Sequence, residues 1–189
     1  MTPQIDRVVT RMMGENCWIL SDPARDDCLL IDPGDDAEDI RAAMGNRRLA
    51  AILLTHGHFD HIGAVRELAG PDTEILIHEA DAPMLSNPRL NAGRLVGAVI
   101  TAPEATHTFR DGDVLTLAGI TLEVIHTPGH TPGSSCFLCG DALFTGDTVM
   151  GGGVGRTDLP GGSEAQLRES LRRLMPLLST HTVYGGHGA

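Results

Sequence analysis

Three imidazoles and a carboxylate crowd one short stretch, Thr55-His56-Gly57-His58-Phe59-Asp60-His61. Metals accept imidazole and carboxylate together, and this donor set suits zinc or iron better than magnesium or calcium. His56 and His58 stand two apart, so in an extended chain they face the same side. Asp60 and His61 open the next helix and can point back at them. An H-x-H-x-D-H string is expected by chance in roughly 0.2 % of chains of this composition, so a solvated polar turn does not explain it. Further donors must come from elsewhere, and three segments offer them. Thr127-Pro128-Gly129-His130-Thr131-Pro132-Gly133 holds His130 in a turn stiffened by Pro and Gly. Phe144-Thr145-Gly146-Asp147 ends on a carboxylate, and Tyr184-Gly185-Gly186-His187-Gly188 sets a histidine between glycines.

The elements that must position these residues are short. Ile5–Thr10, Cys17–Leu20 and Cys28–Ile31 read as an N-terminal strand meander, and 37–44 as a helix with Glu38 and Asp39 in its first turn. Ala51–Leu54 is an apolar run that reads as a buried strand leading into the histidine stretch. Ile62–Leu68 reads as a helix stopped by Gly70-Pro71, Ile75–His78 as a strand and Asn87–Pro103 mainly as loop. Strands follow near Val114–Leu117, Thr121–Ile125, Ser135–Leu138 and Ala142–Phe144, with Gly-containing turns between them. Gly151 to Gly162 reads as a flexible loop. Ser163 caps a last helix to about Leu174, and Val183-Tyr184 closes with a strand. Each metal-type residue thus sits where a strand ends, as a shared site at one rim of two packed sheets requires.

Composition narrows the chemistry. The 189 residues favour one domain, 1–189, large enough to need no disulfide staple. The net charge is −11, and all 14 basic residues are Arg. A chain without Lys cannot run Schiff-base, pyridoxal or P-loop chemistry. The acidic balance and 3 % aromatic content argue against nucleic acid as a partner. The start, Met1 to Thr10, shows no basic segment followed by an apolar run, and no stretch is long enough to span a bilayer. The expectation is a cytoplasmic protein without membrane partners. Cys17, Cys28, Cys136 and Cys139 read as small core residues. The last two are three apart on a strand and should face opposite sides.

Taken together, these motifs resemble the metallo-β-lactamase-fold superfamily, and within it the short glyoxalase-II-like hydrolases. Ile31-Asp32-Pro33-Gly34 looks like the family's first motif, followed by the histidine signature, His130, Asp147 and His187. The resemblance implies an α+β fold, an αββα sandwich of two mixed β-sheets with outer helices. It places His56, His58 and His130 on one metal and Asp60, His61 and His187 on another, with Asp147 bridging. The implied cofactors are two zinc ions per chain, iron or manganese being alternatives. The implied activity is hydrolysis of a small thioester, of the hydroxyacylglutathione hydrolase type, or of another anionic substrate. A metal-bridging hydroxide would attack, with Asp60 and Asp147 as the catalytic carboxylates.

The chemistry is consistent with this. A metal lowers the pKa of bound water to about 7 and stabilises the oxyanion and the departing thiolate. Asp32 is expected to orient a ligand from behind. His126 could support His130, a satisfied strand-end histidine being equally open. His78 reads as structural, and His107 and His181 as solvated. Arg156, in a Gly153-Val154-Gly155-Arg156-Thr157-Asp158-Leu159-Pro160 stretch that resembles a signature of the glyoxalase-II-like and persulfide dioxygenase branches, is the candidate for binding substrate or for an internal clamp with Asp158. The rival reading is a one-iron persulfide dioxygenase using His56, His130 and Asp147 as a facial triad. A β-lactamase and a non-enzymatic metal-binding module rank lower. Full-length glyoxalase II enzymes carry a further helical domain after the last metal histidine that grips glutathione. This sequence stops two residues past His187, so glutathione recognition is not carried over. Shorter members usually continue as a tail, so a truncated C-terminus is a further expectation. The oligomeric state is not encoded in any motif.

Overall fold

A computed structural model describes residues 3–188. The alternating apolar runs build two sheets. The first holds β1 (Gln4–Val9), β2 (Asn16–Ser21), β3 (Asp27–Ile31), β4 (Arg48–Leu53), β5 (Glu74–His78) and β6 (His107–Phe109), in that order. The β1–β2–β3 meander is antiparallel, and β3 to β6 run parallel. The second sheet has the order β11-β10-β9-β8-β7, made from β7 (Val114–Leu117), β8 (Ile120–His126), β9 (Ser135–Cys139), β10 (Ala142–Gly146) and β11 (Thr182–Gly185). Only β10 and β11 pair parallel there. Both sheets are mixed, as expected.

Side-chain alternation creates the layers. Leu29, Ile31, Ala51 and Leu53 turn inward and meet Leu122, Val124, Phe137 and Phe144 of the other sheet. Their neighbours Cys28, Leu30 and Ile52 turn outward and pack with Ile40 of α1 (Ala37–Met44) and with Val65. The far face of the second sheet buries Ile125, Cys136 and Leu143 against Leu174 of a C-terminal helix. Strands apolar on both faces are what a sheet covered on both sides demands. Fully burying each such Leu or Ile contributes about 1.5–3 kcal/mol. The four layers hold the strand ends still.

Cys136 and Cys139 lie on opposite faces of β9, one against the helix and one between the sheets. All four cysteines are free and buried. Burial pushes the Cys136 thiol up to about 11.

Several elements depart from the sequence reading. The helix expected over 62–68 is two single turns, α2 (Phe59–Ile62) and α3 (Val65–Leu68), broken at Gly63-Ala64. α2 opens with Phe59, Asp60 and His61, so the expectation that Asp60 and His61 start the helix holds, although the run Ile62–Leu68 does not continue it. β6 went unseen because three residues at a sheet edge leave little pattern. The stretch 87–103 contains one 3-10 turn, Gly93–Val96. The last helix, α4 (Glu164–Leu178), is capped by Ser163 as expected, but it continues past Leu174 and carries Pro176 in its last turn. No described helix is long and apolar enough to cross a membrane.

Candidate metal centre

β4 delivers the chain at Leu53, and the histidine stretch begins two residues later. The Thr55 carbonyl accepts from the Ser135 amide at 2.9 Å, tying this exit to the second sheet. Asp32, just beyond β3, receives the Thr55 amide at 2.7 Å and the Thr55 hydroxyl at 2.5 Å. Asp32 is buried and adopts a left-handed backbone with φ 51°. Its second oxygen meets His61 Nδ1 at 3.0 Å. The Asp32 side chain therefore holds the His61 ring from behind and leaves Nε2 free to face the cluster.

Two further rings are held from behind through Nδ1. His130 Nδ1 donates to the backbone carbonyl of Arg156 at 2.7 Å, and His187 Nδ1 to that of Met13 at 3.3 Å. A carbonyl can only accept, so each bond fixes the ring tautomer with the Nε2 lone pair inward. His58 Nδ1 lies 2.9 Å from His130 Nε2. The ring centroids of His56 lie 4.8 Å from those of His58 and His130, and 4.1 Å from that of His61.

Two donor groups result. His56, His58 and His130 form one, and Asp60, His61 and His187 the other, with the ligand atoms of each group within 4.8 Å of one another. Asp32, His56 and His61 satisfy the same criterion. Asp147 stands between the two groups. Its carboxylate oxygens lie 3.4 Å from His61 Nε2, 3.5 Å from His130 Nε2 and 3.6 Å from His187 Nε2. Gly186 makes this approach possible, because a Cβ there would sit 2.4 Å from Asp147 Oδ1.

The donors fit a cation. His56 Nε2, His58 Nε2, His61 Nε2 and Asp147 Oδ1 are buried without a hydrogen-bond partner. Buried polar atoms normally find partners, and four orphans converging on one place describe a ligand set. Burial, then neighbouring imidazoles, hold His56 well below the usual imidazole range and His58 down to about 3. Burial also lowers His130. These rings stay neutral and keep their lone pairs. His61 behaves oppositely. Burial lowers it, but Asp147, Asp60 and Asp32 outweigh burial and raise it well above the ordinary value. The negative charge that would keep a proton on His61 attracts any cation.

Asp81 belongs to the site but carries no sequence signal. It is fully buried and accepts from Gly57 N at 3.1 Å, Thr131 Oγ1 at 2.6 Å and Gly133 N at 2.7 Å. One carboxylate thus pins the His56–His58 turn to the His130 turn. Its partners are distant in sequence, so only the fold reveals the role. His126 is not brought into the cluster. Its ring stacks on His78 with centroids 4.1 Å apart and donates to the Pro132 carbonyl at 2.9 Å. It steadies the His130 turn through Pro132 only. Arg156 forks onto Asp158 at 2.6 and 2.7 Å, which is the internal clamp. What Arg156 offers the cluster is its backbone carbonyl.

A cavity of about 590 Å³ opens over this floor of His58, Asp60, His130, Asp147 and His187. A family model described as the metallo-beta-lactamase superfamily matches residues 11–187. The chain belongs to the metallo-beta-lactamase superfamily. Hydroxyacylglutathione hydrolase GloC of Haemophilus influenzae is 36 % identical over 183 residues, covering 93 % of this chain and 86 % of its own. The crystal structure of BLEG-1 B3 metallo-beta-lactamase superposes with a TM-score of 0.91 at 34 % identity, covering 98 % and 92 % of the two chains. TTHA1623 in a di-iron-bound form follows with a TM-score of 0.86 at 36 % identity, covering 97 % and 92 %. Among superfamily members of this size, then, the mixed-sheet sandwich recurs, and one structure holds two irons. The named relatives differ in activity, so membership gives a domain of the metallo-hydrolase superfamily and does not fix its substrate.

Proposed function

We propose that this superfamily member is a thioester hydrolase with two zinc ions, the first held by His56, His58 and His130, the second by Asp60, His61 and His187, and both by Asp147. The position of Asp147 within 3.6 Å of His61, His130 and His187 carries the reading, because a carboxylate shared by two donor groups suits a two-metal site. Bound metal would bring the pKa of a coordinated water to about 7 and polarise the thioester carbonyl.

The chain's own groups do the rest. Asp60 and Asp147 bring carboxylates to the cavity floor. Against the opposing effect of burial, His61 and His187 hold the Asp60 carboxyl well below its usual range, so it stays ionised as a ligand must. His56, His58 and His130 are kept neutral by burial and keep their lone pairs. The Arg156 carbonyl keeps the His130 ring from rotating. The leaving thiol, with an ordinary pKa near 8.5, departs as thiolate without a general acid, consistent with a chain lacking Lys. The likeness to GloC supports a thioester over other acyl substrates.

The test is to purify the protein without added metal and measure zinc and iron per chain. Hydrolysis of S-lactoylglutathione is then followed beside oxygen uptake with glutathione persulfide and opening of a chromogenic cephalosporin. Thioester hydrolysis with two metals per chain is expected. Oxygen uptake with one iron and no thioester cleavage would overturn the reading in favour of the dioxygenase. Cephalosporin opening alone would do so in favour of a lactamase.

A further inference from the structure

The walls of the cavity differ from its floor. Leu95 and Val96 come from the 3-10 turn and Val154 and Leu159 from the loop after β10, and Met13 and Phe59 line the cavity as well. Leu95, Val96, Met13 and Val154 are 67, 59, 64 and 46 % exposed. Large apolar side chains exposed together around one opening mark a place where an apolar group binds. The charged alternative is weak. Arg156 is the cation lining the cavity among the described residues, and both of its hydrogen-bonding nitrogens face Asp158. The Arg156 hydrogen bond holds Asp158 down to about 2, so the fork stays paired at neutral pH.

We infer that the substrate is held by an uncharged, apolar group next to the thioester, and that charged parts of the thiol carrier stay in solvent. This rests on the proposed thioester hydrolysis for the reacting bond only. The geometry of the wall stands without it. The apolar group could lie on the acyl side or on the thiol side. Both share one chemistry, a chain of methylenes against Leu95, Val96 and Val154. Among the described residues, the cavity lining holds no Lys or Arg besides the paired Arg156, which argues against recognition of the two carboxylates of glutathione.

The first arm measures kcat/KM for acetyl, butanoyl and hexanoyl thioesters of N-acetylcysteamine, a small neutral thiol. A rise of about 2–4-fold per methylene is expected, since a buried methylene contributes up to about 0.8 kcal/mol. The second arm holds the acyl group constant and compares glutathione, N-acetylcysteamine and an alkanethiol as carriers. An alkanethiol preference with a flat acyl series places the apolar group on the thiol side. Glutathione at least tenfold better than both neutral thiols overturns the inference, as does a flat response in both arms. A double substitution, L95S with V96S on the exposed turn, should flatten whichever series is steep. A steep series unaffected by it overturns the wall as the cause. The third arm needs no turnover. Calorimetric titration of the zinc-loaded protein with butanoate, hexanoate and octanoate should show Kd falling with length. If no thioester is cleaved, the proposed reaction fails and this titration alone decides the inference, a flat series overturning it.

Discussion

His130 Nδ1 lies 2.7 Å from the backbone carbonyl of Arg156, so the loop after β10 holds a ring of the donor cluster through main chain alone. The side chain of Arg156 is not part of that bond. Arg156→Ala should therefore leave zinc content unchanged, whereas Gly155→Ala should not. A Cβ at position 155 would sit 2.4 Å from the Asp147 carbonyl and 2.7 Å from His130 Nδ1. We expect Gly155→Ala to lose at least about tenfold in metal affinity, the scale seen when a group behind a ligand is disturbed. Competition with a chromogenic chelator checks it.

Asp147 approaches both donor groups, and its removal should be felt by both. Asp147→Ala is expected to lower bound metal to one ion or fewer per chain and to reduce turnover by at least about 10³-fold, about 4 kcal/mol of barrier. Elemental analysis with steady-state kinetics reads both. Two ions retained would refute the shared role.

Asp81 accepts three hydrogen bonds and is fully buried. Asp81→Ala leaves the buried Gly57 and Gly133 amides without their acceptor and the Thr131 hydroxyl with Ser134 as its remaining partner. Unsatisfied buried groups cost about 1–3 kcal/mol each, partly relieved by relaxation, so a loss of about 2–4 kcal/mol is expected. Urea unfolding of the metal-free protein measures it without interference from the centre.

Asp27 gives a pH signature away from the site. It is buried between Arg25, at 2.8 Å, and Arg48, at 2.9 Å. The hydrogen bond from Arg25, opposed by burial and helped by both guanidinium charges, holds Asp27 below the usual carboxylate range. A lowered folded pKa means stability present above the ordinary value near 4 and lost as pH falls through the folded one. Asp27→Asn should thus destabilise at pH 7, and the difference from the unaltered protein should shrink as pH drops below about 4. Denaturant midpoints at several pH values test this.

Metal removal should also be visible in stability. Ligand bound only to the folded state adds about 2.7 kcal/mol at a free concentration of 100 Kd. For a chain of this length that corresponds to a rise of about 5–10 °C in Tm. Calorimetry of the chelator-treated protein before and after zinc addition is the measurement. An unchanged Tm would remove the centre.

The residues themselves determined much of this. Metal-type side chains at the ends of β4, β10 and β11 and in the turn after β8 were legible because their types are rare together and strand ends are marked by apolar runs meeting glycine. The opposite facing of Cys136 and Cys139 followed from strand periodicity. The split of one expected helix into α2 and α3 did not, since both turns share one apolar pattern and the break at Gly63-Ala64 is a matter of packing. Only the tertiary structure decided which atoms of these residues face each other. It turned Asp32 onto His61, paired Arg156 with Asp158, moved His126 onto His78 and revealed Asp81. Each of these outcomes depends on where a short polar side chain finds a partner among residues distant in sequence. Periodicity sorts side chains between faces, but it carries no record of which buried groups meet.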